Sequence, residues 1–241
     1  MQLRPEGVRP VLLRSHDRSA PFPDPEQADG NLVAIGGDLS RERLLSAYAQ
    51  GIFPWFGEED PILWWSPDPR AVLEPSAVHI SRSLRKSARN RDWQYHMDSD
   101  FVGVIDACAE PRAGQGGTWI TPAVRAAYLD LFAAGTAHSI EVYQQDRLVG
   151  GLYGVALGGL FFGESMFSRI PDASKLALVL LARHLQHWGF SLIDTQFITP
   201  HLQSMGAREL PRRDFLQALA DLRTQHPPAD WKISSSWHEM F

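Results

Sequence analysis

Three strand-like runs follow one another with almost no chain between them, at residues 138–144, 148–156 and 160–167. Polar or Gly-rich turns join them, which is the pattern of an antiparallel meander. A helix should then cover 175–188, capped by Ser174 and closed by Gly189, and a further strand 190–198. Strands joined this tightly cannot form parallel crossovers, which need a dozen or more residues. The segment therefore folds as one mostly antiparallel sheet.

What flanks the meander sets the class. Thr121-Pro122 pairs an N-cap with proline at the first helical position and opens a helix that ends at Gly135. Trp93, Tyr95 and Met97 alternate with polar residues as a strand, and 99–109 reads as a helix. Ser81 can cap a helix of basic residues, and Ser40 one over 41–50. A short strand is expected at 71–73, and a short helix and a longer one near 214–223 follow the last strand. Residues 1–30 read as irregular, with Pro21, Pro23 and Pro25. Helices on either side of a meander make an α+β fold, mostly antiparallel with flanking helices. The order is compatible with the acetyltransferase kind of N-acyltransferase fold, an analogy that does not fix function. We expect a small N-terminal subdomain over 1–70 and the N-acyltransferase-like part over 71–241.

Composition excludes some functions. The net charge of −5 argues against a general nucleic-acid coat. Charge is uneven, however. Residues 79–91 hold Arg82, Arg85, Lys86, Arg89 and Arg91 with no acidic side chain. That patch is either a phosphate-binding surface or a solvated helix face. The single cysteine, Cys108, rules out an intrachain disulfide and sits in a run that reads as a packed helix face. No secretory signal or bilayer-length apolar run is visible, so a cytosolic protein with no membrane association is expected.

Gly51-Ile52-Phe53-Pro54-Trp55-Phe56 and Ile62 to Arg70 crowd tryptophans 55, 64 and 65 among prolines. The segment reads as mostly loop. Its rings either plug a seam between subdomains or offer a flat surface for stacking on a base.

Two places can carry chemistry. In Leu192-Ile193-Asp194-Thr195-Gln196-Phe197, alternation puts Asp194 and Gln196 on one face and Ile193, Thr195 and Phe197 on the other. An ionised aspartate there can accept from the glutamine amide and fix its direction, or the two can be a satisfied polar pair at a strand end. Glu164 interrupts the apolar run Leu160-Phe161-Phe162, so it either faces solvent or meets a donor or cation. Glycines 150, 151, 154, 158 and 159 upstream either admit a ligand to the backbone or mark bulges and turns. Metal-ligand spacing, a phosphate-binding P-loop and a Gly-x-Ser-x-Gly elbow are all missing.

Taken together, the motifs resemble bacterial leucyl/phenylalanyl-tRNA–protein transferases. They are Ile35 to Ser40, Gly51 to Phe56, Ile62 to Val72, Gly117 to Thr121, His138 to Val142, Leu148 to Val155, Phe162 to Arg169, Leu192 to Gln196 and Pro211 to Asp214. The resemblance implies transfer of leucine or phenylalanine from charged tRNA to proteins that begin with Arg or Lys, marking them for N-end rule degradation. It implies Trp55 and Trp119 as stacking partners of the terminal adenosine. Leu152, Phe161 and Ile193 would form the amino-acid pocket, and Asp194, Gln196 and Glu164 the catalytic centre. The 82–91 stretch would touch the tRNA acceptor stem. No metal or coenzyme is implied. A coenzyme-A-dependent acyltransferase is the competing enzyme class, and the missing pyrophosphate-binding turn before 175–188 argues against it. A non-catalytic adaptor for tRNA or basic N-termini is the other alternative, and the Asp194/Gln196 pair beside an apolar pocket argues against that.

Overall fold

The computed structural model describes residues 9–15, 17, 20–90, 92–111, 118–226 and 231–233. In chain order the described elements are β1 (Val11–Leu13), β2 (Leu32–Gly36), α1 (Arg41–Tyr48), β3 (Phe53–Pro54), β4 (Leu63–Trp65) and β5 (Arg70–Leu73). Next come α2 (Arg82–Asn90), β6 (Gln94–Met97), α3 (Phe101–Ala109), α4 (Pro122–Ala133), β7 (Ala137–Gln144), β8 (Arg147–Leu157) and β9 (Leu160–Ser168). The last elements are α5 (Ala173–Trp188), β10 (Leu192–Gln196), α6 (Pro200–Ser204), β11 (Arg208–Leu210) and α7 (Arg212–Leu222).

The meander is the centre of a seven-stranded sheet ordered β11-β5-β10-β9-β8-β7-β6. Gln145 and Asp146 turn β7 into β8 with φ of 52° and 56°, the left-handed pair that a tight hairpin demands. Every pairing in this sheet is antiparallel except β9 with β10, which α5 joins by a crossover. A smaller sheet, β1-β2-β4-β3, lies in residues 11–65.

Apolar side chains alternate along the strands and build a core on each face of the large sheet. One core joins Tyr153, Leu160 and Phe162 to α3, α4 and the small sheet. The other packs Leu152, Phe161 and Ile193 against the apolar face of α5. Helix starts largely follow the cap residues. The Thr121 hydroxyl accepts from the Val124 N–H at 3.3 Å, and Ser81 from Leu84 at 3.1 Å.

Three local expectations are corrected. Residues 11–13 form a strand, paired in parallel with β2, within the stretch expected to be irregular. The Trp/Pro segment contains a short antiparallel hairpin, because β3 pairs with β4 and proline sits at its edge. Helix α5 begins one residue before Ser174, with Asp172 at its N-cap in the left-handed region and no side-chain cap.

Candidate active site

β9 and β10 pair only from Leu160–Leu192 to Phe162–Asp194, and beyond that they part. The gap opens into a cleft of about 1600 Å³. Both strands carry a bulge where they diverge. On β9 the register with β8 passes from Gly163 to Ser165, so Glu164 is the extra residue. On β10 the register with β5 passes from Asp194 to Gln196, so Thr195 is the extra residue. Bulges bend a strand and re-aim its side chains, and they recur beside functional sites. Here they bring Glu164, Thr195 and Gln196 to the cleft wall.

The second bulge overturns the expected face assignment. Gln196 has φ of 57°, a left-handed conformation that costs a non-glycine residue about 1–2 kcal/mol. Strict alternation ends there. Ile193, Thr195, Gln196 and Phe197 line the cleft, whereas Asp194 is fully buried beneath it. Arg70 holds both oxygens of Asp194, Nε to Oδ1 at 2.8 Å and Nη2 to Oδ2 at 2.6 Å, and neither side chain is exposed. The guanidinium also donates to the Gly51 carbonyl and lies between the rings of Phe53 and Phe215. Asp194 holds Gln196 by the backbone: the Gln196 N–H donates to Oδ1 at 3.0 Å. The Gln196 amide reaches only the Asp194 carbonyl, at 3.4 Å. The carboxylate thus stabilises the strained turn that presents Gln196, and it does not grip the side-chain amide as expected.

Glu164 meets donors. Tyr128 donates to its Oε2 at 2.7 Å, and the Tyr128 and Tyr48 hydroxyls hydrogen-bond to each other. Burial raises both phenols well above their ordinary range, so both stay protonated. Glu164 Oε1 is buried and has no partner among the described residues. Burial pushes the Glu164 carboxyl up to about 7, against the hydrogen bond from Tyr128 that favours its ionised form.

Aromatic and apolar groups surround this centre. Trp55 and Trp119 both line the cleft. Trp55 is 46% exposed and leans on Trp65 and Phe197, at 6.0 and 5.7 Å between centroids. Trp64 is fully buried, its Nε1 bonded to the Gly36 carbonyl at 2.8 Å. The segment therefore supplies a seam plug and an open ring together. Leu152 and Ile193 line the cleft with Leu178 and Leu181 of α5, two residues that the sequence pattern does not single out. Phe161 does not reach the cleft; it is fully buried behind that wall. The glycine cluster admits protein, since a Cβ on Gly154 would come within 2.5 Å of the Phe161 ring. Arg82, Arg85, Lys86 and Arg89 lie on α2, away from the cleft, with Leu84 and Ala88 turned inward. Arg91 lies outside the described residues.

Arg70, Tyr48 and Tyr128 are site residues that sequence reasoning misses. Arg70 and Asp194 are 124 residues apart, and only the β5–β10 pairing brings them together. The tyrosines come from α1 and α4, and no local pattern links them to β9.

Residues 72–220 match the family model described as leucyl/phenylalanyl-tRNA protein transferase, and residues 37–68 match the model of its N-terminal domain. The chain belongs to this family. It is 58% identical over 218 residues to the leucyl/phenylalanyl-tRNA–protein transferase of Thiobacillus denitrificans, covering 89% of this chain and 96% of that one. The protein of the same name from Nitrosomonas eutropha is 53% identical over 231 residues, covering 94% and 98%. Among solved structures, one match is the C-terminal domain of a protein assigned by name to the lysylphosphatidylglycerol synthetases of Agrobacterium fabrum. It has a TM-score of 0.43 and 10% identity, covering 81% of this chain and 72% of that one, too distant to carry an argument.

Proposed function

We propose that this chain transfers leucine or phenylalanine from aminoacyl-tRNA to the N-terminal α-amine of proteins beginning with Arg or Lys. The product would enter N-end rule degradation, in the cytoplasm. No helix among the described residues is long and apolar enough to cross a membrane. The reading rests first on the family match, and the carrying structural observation is the cleft. It sets open tryptophan rings, an apolar wall and a polar centre against one another.

In this reading residues 71–241 form an N-acyltransferase-like catalytic part, and 1–70 a small N-terminal part that brings Trp55 to it. Trp55 and Trp119 stack on the terminal adenosine, an interaction worth about 1–3 kcal/mol per base. Leu152 and Ile193 face the transferred side chain, and Phe161 backs them. The helix bearing Arg82, Arg85, Lys86 and Arg89, with Arg91 beyond it, contacts acceptor-stem phosphates.

The amine nitrogen attacks the ester carbonyl carbon. The C–N bond forms, the C–O bond to the ribose breaks, and a proton passes from nitrogen to the departing oxygen through the site or solvent. An α-amine with a pKa of about 7.7–8.0 is partly neutral near pH 7, so orientation supplies much of the rate. Gln196 accepts a hydrogen bond from that amine. Asp194, its oxygens engaged by Arg70, is a positioning residue and not the base. Glu164, on the cleft wall with a carboxyl that titrates near neutrality, receives or places the amine proton. Incubating the chain with radiolabelled Phe-tRNA and a peptide beginning with Arg tests the reading. Label should enter that peptide and not one beginning with Ala. No label in either refutes it.

A further inference from the structure

Trp231 lies outside the cleft and outside the chemistry above. Its ring stacks on His138, with centroids 3.6 Å apart and planes 9° from parallel. Trp188, Phe190 and Phe161 close around it at 5.0, 6.0 and 6.0 Å. Phe161 is thereby confined. The Gly154 backbone lies directly against its ring, and Trp231 stands near it at an angle of 39°. In the parallel register Phe161 pairs with Ile193, which lines the cleft. A line of packed side chains therefore runs from the C-terminal segment through Phe161 to the apolar wall.

We infer that Trp231 is a positioning residue that sets the depth of the pocket for the transferred side chain, by wedging Phe161 against Ile193. Interiors are close-packed and relax only partly, so removing the indole leaves space behind Phe161 into which that ring and the wall can withdraw. A deeper pocket favours the larger side chain. The inference rests on the reading of this cleft as the aminoacyl site.

The test compares kcat/KM for leucyl- and phenylalanyl-adenosine with the full chain and a peptide beginning with Arg. Trp231→Ala should raise the Phe-to-Leu ratio about three- to tenfold, below the roughly 10- to 200-fold that one methylene in direct contact with a substrate is worth, because the indole acts only through Phe161. Trp231→Phe, which keeps a flat ring, should restore most of the wild-type ratio. If Trp231→Ala does not fold, Trp231→Leu should move the ratio in the same direction by less. Equal losses for both substrates would mean a merely structural role and overturn the inference, as would an unchanged ratio in folded variants. Failure of the wild type to use either substrate would instead overturn the reading of the cleft.

Discussion

Asp194→Asn isolates what the buried ion pair contributes. The substitution keeps the side-chain shape and a carbonyl that can accept from the Gln196 N–H, but removes the charge facing Arg70. Breaking a fully buried pair by removing one partner costs about 3–5 kcal/mol, because the other charge is left uncompensated. Arg70 would keep its bond to the Gly51 carbonyl and its place between Phe53 and Phe215. Each cation–ring interaction is worth about 0.5–2 kcal/mol. They persist in the variant and let the guanidinium stay partly solvated by the rings, so the net loss should fall near about 2–4 kcal/mol. Arg70→Met with Asp194→Leu removes both charges and should recover part of that loss. It will not recover all, since the Gly51 carbonyl then lacks a buried donor, at about 1–3 kcal/mol. Urea unfolding of wild type, Arg70→Met, Asp194→Leu and the double variant gives the coupling energy directly. It should exceed about 1.5 kcal/mol, and turnover in the double variant should stay low because the N–H of the left-handed Gln196 has lost its carboxylate acceptor. A loss below about 1 kcal/mol in Asp194→Asn, with no coupling, would refute a buried charge pair beneath the cleft.

Glu164→Gln should change both stability and rate with pH. A carboxyl raised from 4.5 to about 7 on folding contributes stability that is fully present below pH 4.5 and lost as pH rises through 7. The glutamine variant lacks that loss, so it should gain on wild type across this window, by at most about 3 kcal/mol at pH of about 8; parallel stability curves would contradict the buried carboxyl. Wild-type rate should rise through the Glu164 titration near pH 7, and the glutamine variant should lose that part of the rise and keep only the one set by ionisation of the acceptor amine, as single-turnover measurements at several pH values would reveal. Neutralising Arg82, Arg85 and Arg89 together should raise KM for charged tRNA and lessen the slope of log K against log salt by about 0.7–0.9 for each phosphate that is no longer neutralised. An unchanged slope would move the acceptor stem elsewhere, with the Arg208–Arg213 segment the next candidate.

The large sheet was legible because its strands are long, alternating and joined by short turns. Strands β7, β8 and β9 differ from the sequence reading by a residue or two at their ends. The site was less so, because it is built where regular alternation stops. Nothing in Ile193-Asp194-Thr195-Gln196 announces a bulge, and glutamine is not a residue that favours a left-handed turn. Extending the period by rule therefore put Asp194 and Gln196 side by side, when one is buried under the other's backbone. Phe162 and Phe167 show the same effect on β9. They are five residues apart and share a core, which only the bulge at Glu164 permits. The partners Arg70, Tyr48 and Tyr128 depend on pairings across distant sequence, and a lone chain carries no local sign of them.

Transfer from phenylalanyl-adenosine to a peptide beginning with Arg, followed in single turnover, tests the central claim most directly. That substrate has the aminoacyl ester and the adenosine but no tRNA body, so only the cleft can recognise it. The wild type should transfer phenylalanine, and Trp55→Ala and Trp119→Ala should each weaken use of the substrate by about 5- to 150-fold, the equivalent of about 1–3 kcal/mol of stacking. Wild-type use of phenylalanyl-adenosine by both variants would contradict the placement of the aminoacyl end between these rings and the polar centre.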